Sequence, residues 1–77
     1  DNEKVNIEEN LKLFLEYLEL EEKYFGKEVD LGRIKYIGGK FLRGFKDAAG
    51  FREEMMKAQN VKQVRIVVRR AIGRKGQ

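Results

Sequence analysis

Apolar residues in this chain recur at steps of three and four, the spacing that gathers side chains on one face of an α-helix. The first such run predicts a helix from Asn6 to Phe25, opened by a capping-box signature at Asn6 and Glu9. Leu11, Phe14, Leu15, Leu18 and, at its end, Phe25 form the apolar side, away from Glu16, Glu19 and Lys23. Gly26 is the expected stop, because glycine accepts the left-handed backbone with which helices often end. A second helix is predicted from an Asp30 cap to Arg43, with Gly44 as its stop. Leu31, Ile34, Ile37, Gly38, Phe41 and Leu42 gather on one of its sides, and Arg33, Tyr36, Lys40 and Arg43 on the other. Within it, Gly38-Gly39 costs about 1 kcal/mol per glycine relative to alanine. Close approach of another helix or of a ligand backbone is the expected compensation.

Asp47 is the expected cap of a third helix reaching Gln59 and burying Ala48, Phe51, Met55 and Ala58. Asn60 and Gln63 repeat the capping-box spacing and open a fourth helix toward Ile72. Its apolar line is Val61, Val64, Val68 and Ala71, and its polar side holds Lys62, Arg65, Arg69 and Arg70. The β-branched run from Val64 to Val68 favours a strand by propensity, but a lone strand has nothing to pair with, so the helix is retained. The fold class expected is all-α, a small antiparallel bundle of about four helices. Residues 1–77 form one domain in this reading, with 73–77 as a frayed tail and the whole an excised piece of a larger protein.

Composition narrows the chemistry. The chain has no histidine and no cysteine, which excludes imidazole acid-base catalysis, nucleophile systems built on histidine, thiolate metal sites and disulfides. At 77 residues a domain buries only about 60% of its unfolded surface, so packing alone must hold it. No apolar run approaches the roughly 20 residues that span a bilayer and no secretory leader opens the chain; a soluble, cytoplasmic monomer is expected.

Charge is divided unevenly. Residues 1–30 carry four lysines against ten acids, a formal −6, while residues 31–77 carry thirteen Lys and Arg against three acids, a formal +10. Such asymmetry fits a positive surface for a polyanion, the plain alternative being a solvated face. The glycines match no phosphate-loop spacing. Glu19, Glu21, Glu22 and Glu28 fit a solvated helix face better than a catalytic pair, which requires a pocket that separates two pKa values. Tyr17, Tyr24 and Tyr36 are candidates for base stacking or a buried hydroxyl, whereas the phenylalanines fit a core. The surviving signal is the basic stripe. Arg33, Lys40 and Arg43 with Tyr36 among them, Lys46 a turn later and Arg52 at the start of helix three form a candidate RNA-binding patch. As exposed charges, Lys40, Arg43 and Arg52 are expected to contribute little to stability.

The stretch from Phe41 to Glu53, Phe-Leu-Arg-Gly-Phe-Lys-Asp-Ala-Ala-Gly-Phe-Arg-Glu, resembles the C-terminal helical domain of the tRNA-dihydrouridine synthases. There an aromatic-x-Lys/Arg-Gly turn leads through small residues into an apolar-Arg helix start. Leu13 to Tyr17, the basic segment Arg33 to Lys40, Met55 to Ala58 and the capped helix after Asn60 follow the same order, so the resemblance covers about four fifths of the chain. It departs at Tyr36-Ile37 and Lys40-Phe41, where the family carries a histidine and a Trp-Tyr pair, and at Phe45-Lys46-Asp47 in place of Leu-Pro-Gly. The resemblance implies a tRNA-binding domain, itself neither catalytic nor cofactor-binding. Its partners would be tRNA and a TIM-barrel domain of the same parent protein that binds FMN and uses NADPH to reduce uridine. It also implies tRNA-facing roles for Lys35, Lys40, Arg43 and Arg52. The rival reading is a protein-interaction bundle working through its acidic first helix.

Overall fold

The computed structural model describes the backbone of residues 2–75 and the side chains of residues 7–73. It is an all-α bundle of four helices: α1 (Asn2–Phe25), α2 (Leu31–Phe41), α3 (Ala48–Lys57) and α4 (Val61–Lys75), with one 3-10 turn at Gly26–Glu28. At a rise of about 1.5 Å per residue the 24 residues of α1 span roughly 36 Å, close to the 38 Å long axis of the molecule.

Side-chain contacts set α2 antiparallel to α3 and α1 antiparallel to α4. The start of α2 meets the end of α3 through Lys35 and Ala58, and its end meets the start of α3 through Leu42 and Arg52. Glu22 near the end of α1 reaches Arg65 near the start of α4. Glu54 of α3 meets Arg70 of α4 at 2.9 Å. Each helix packs on the next, and α4 returns to pack on α1, so the four close a ring around Leu11, Phe14, Leu18, Ile34, Leu42, Phe51, Met55, Val64 and Val68. Phe14 stands at the centre, its ring 5.4 Å from Phe41 and 5.8 Å from Tyr17. Val61 to Val68 is helical as expected, with Val67 also buried: packing of the apolar side outweighs the modest β-preference of branched residues.

Local signals were kept unevenly. Asp30 caps α2, its Oδ1 accepting from the Arg33 amide at 3.1 Å. At α4, Asn60 caps as expected, its Oδ1 accepting from Gln63 N–H at 2.9 Å, while Gln63 Oε1 accepts from Gln59 N–H at 2.7 Å, one residue before the cap, in place of the Asn60 amide that a capping box would use. Asn6, by contrast, lies inside α1, which begins at Asn2. Residues 2–5 contain no glycine or proline to stop the helix. Phe25, expected in the core, ends α1 directly before the left-handed Gly26 and is 54% exposed. Asp47 precedes α3 but in a left-handed conformation (φ 69°), with no capping bond from its side chain; a capping side chain needs the extended backbone that this turn lacks. Helix two ends at Phe41 and helix three at Lys57, each two residues earlier than expected, while α4 runs on through Lys75. The tail expected at 73–77 is therefore helical as far as Lys75, and residues 76–77 lie outside the described residues.

Candidate nucleic-acid interface

The apolar periodicity of α2 determines where its cations go. With Ile34, Gly38 and Leu42 buried, Arg33, Tyr36, Lys40 and Arg43 are all exposed. Across the α2–α3 seam, Lys35, Tyr36, Gly39, Lys40 and Arg43 join Arg52, Glu53, Met55 and Met56 around an open groove of about 370 Å³. Five of the seven expected RNA-binding residues therefore share one groove. Arg33 lies on the same helix outside it, and Lys46 belongs to the adjoining turn with Gly44, Phe45 and Asp47, where Arg52 also reaches. Lys40 Nζ sits 4.6 Å from the centroid of the Tyr36 ring, a cation–π geometry.

Two of these cations also hold the bundle together. Lys35 Nζ donates to the Ala58 carbonyl at 2.9 Å and Arg52 Nη1 to the Leu42 carbonyl at 2.6 Å, both partly buried. Ala58 and Leu42 are the C-cap residues of α3 and α2. Helix C-termini leave carbonyls unsatisfied and carry partial negative charge, so each helix lends the other a cation at its end. This corrects the expectation that Arg52 is an exposed charge indifferent to folding. Sequence periodicity reports which face a residue occupies, not which distant carbonyl it meets.

Elsewhere, two α4 cations are paired across seams, Arg65 with Glu22 and Arg70 with Glu54, while Lys62 and Arg69 enter no ion pair among the described residues. Among the described residues, the groove cations Lys35, Lys40, Arg43 and Arg52 enter no ion pair with a carboxylate. Gly39, marked in the sequence as half of a glycine pair that close approach should compensate, lines this groove, whereas the sequence reading missed Met56, whose signal was a methionine one step beyond the core methionine. It also missed a second apolar line on α1, where Leu13, Leu20 and Tyr24 are exposed with half-buried Tyr17 between them. Of the candidate acids, Glu22 is committed to Arg65. Among the described residues no cluster of three acids could hold a metal ion, and no helix is long and apolar enough to cross a membrane. No family model, curated protein or solved structure matches the chain.

Proposed function

We propose that this chain is an RNA-binding helical domain that grips folded tRNA through the α2–α3 groove. The observation that carries this reading is the convergence of four cations and an exposed tyrosine on one groove, none of the four paired with a carboxylate among the described residues, whereas Arg65 and Arg70 of the fourth helix are paired. Phosphates are the natural counter-charge for such a set, and shape with phosphate contacts is how helical surfaces read folded RNA. The resemblance to the helical domain of tRNA-dihydrouridine synthases supports tRNA as the class. In that arrangement the domain presents a uridine to a flavin-binding barrel elsewhere in the parent protein, and uridine reduction is not a property of this chain.

The test is tRNA binding measured by fluorescence anisotropy at several salt concentrations. Lys40→Ala and Arg43→Ala should each weaken binding and flatten the log K against log salt slope by about 0.7 to 1. Lys12→Ala and Lys23→Ala, which remove the same charge from α1, should leave the slope unchanged. Equal losses at both sets would mean that net charge alone is sensed.

The second reading, docking of a protein on α1, is favoured by the exposed Leu13, Leu20 and Tyr24 on the acidic helix. It is separable, because Leu20→Asp would abolish such docking without touching the groove.

A further inference from the structure

Phosphate binding by itself leaves two features of the α2–α3 groove unused. The first is Gly39. Its neighbour Gly38 is explained by packing, since a Cβ there would lie 2.9 Å from Phe14 Cζ and 3.0 Å from Met55 Cε. A Cβ on Gly39 would meet nothing within 4 Å, and its backbone is not left-handed. Neither packing nor turn geometry within the chain requires glycine at this position, yet Gly39 lines the groove. Gly50 and Gly73 are equally unconstrained, but they lie outside it. The second feature is apolar: Tyr36 and Met56, each 65% exposed, border the same groove.

We propose that the groove is a site for one unpaired nucleotide of the RNA, a deepening that rests on the RNA-binding reading above. The base stacks against Tyr36 beside Met56, the sugar-phosphate passes over the bare helix backbone at Gly39, and Lys40 and Arg43 meet its phosphates. Only an unstacked base offers a free π-face, so an exposed aromatic beside cations selects single-stranded or loop nucleotides over a duplex, whose base faces are covered. The size agrees: about 370 Å³ is at the small end of ligand pockets, room for one nucleotide. The ammonium held 4.6 Å from the Tyr36 centroid places ring and cation within one nucleotide's reach.

The experiment compares a fluorescent stem-loop with a blunt duplex carrying the same number of phosphates, both titrated with the full chain. The stem-loop should bind about tenfold or more tightly than the duplex, the scale of one base-aromatic stack. Tyr36→Ala should abolish that preference, weakening the stem-loop far more than the duplex, and Tyr36→Phe should keep it. Gly39→Ala should raise the melting temperature yet weaken stem-loop binding several-fold. Gly50→Ala should leave affinity unaltered. Equal binding of both RNAs, weakened by Lys40→Ala and Arg43→Ala but not by Tyr36→Ala or Gly39→Ala, would reject the nucleotide site and leave the phosphate groove standing. A Tyr36→Ala loss equal on both RNAs would also reject it. Binding of neither RNA would overturn the site and the RNA-binding reading together.

Discussion

Two adjacent glycines in α2 face opposite physical demands. Adding a methyl at Gly38 forces it against the Phe14 ring at 2.9 Å and the Met55 side chain at 3.0 and 3.2 Å. The methionine can give way, but the ring is held between Tyr17 and Phe41. Gly38→Ala should therefore lose roughly 2 to 3 kcal/mol to overpacking, the upper part of the usual range because the ring cannot move, only partly offset by the gain of about 0.5 to 1 kcal/mol in helix propensity. Gly39→Ala keeps the propensity gain without the clash and should stabilise by about 0.5 to 1 kcal/mol. Thermal melts followed by circular dichroism should move in opposite directions, by several degrees in a domain of this size. Equal shifts would mean that α2 does not pack through Gly38. The sequence marked the pair as an anomaly in a helix but had no means of dividing it, because helical phase puts Gly38 on the apolar side without saying what stands opposite.

At the scale of the helix, signals contained within four residues were legible when nothing longer-ranged competed. Asp30 and Asn60 cap as their spacing implies. Asn6 does not, because helix-compatible residues precede it, and Asp47 does not, because the turn from Gly44 bends its backbone left-handed. The cross-seam bonds were invisible, since they join α2 to α3 through carbonyls that every residue possesses. They yield a prediction that reverses the reading of Arg52 as a bystander. A hydrogen bond from a charged donor contributes about 1.5 to 3 kcal/mol when partly buried, so Arg52→Ala should cost roughly 1 to 2 kcal/mol in urea unfolding, whereas Arg43→Ala should stay within about 0.5. Weakened RNA binding by Arg52→Ala must therefore be corrected for lost folding before it is assigned to phosphate contact. If Arg52→Ala unfolds at the same urea concentration as the parent chain, the bond to Leu42 contributes nothing.

Across the whole molecule, periodicity in four segments was enough to give the all-α bundle, because amphipathic helices joined by short turns have few ways to bury their apolar sides. The candidate surface was less legible: charge counting located the basic half, but only packing showed that Arg65 and Arg70 of α4 meet carboxylates while the cations gathered at the α2–α3 groove, among the described residues, do not. The ring closes where α1 meets α4, through contacts such as Glu22 to Arg65 that are 43 residues apart, whereas Arg52 and Leu42 are separated by 10 and Arg70 and Glu54 by 16. Closing a longer loop costs more chain entropy before any contact repays it. The molecule should accordingly assemble α2, α3 and α4 first and seat α1 last. In stopped-flow chevrons, Met55→Ala should slow refolding, while Leu18→Ala, an equally buried truncation in α1, should act mainly by accelerating unfolding. A large refolding defect for Leu18→Ala would instead place α1 in the nucleus. In a chain that seats its acidic helix last, the basic groove is assembled while the neutralising half of the charge is still loose, so polyanions present during refolding should find their site before the fold is complete.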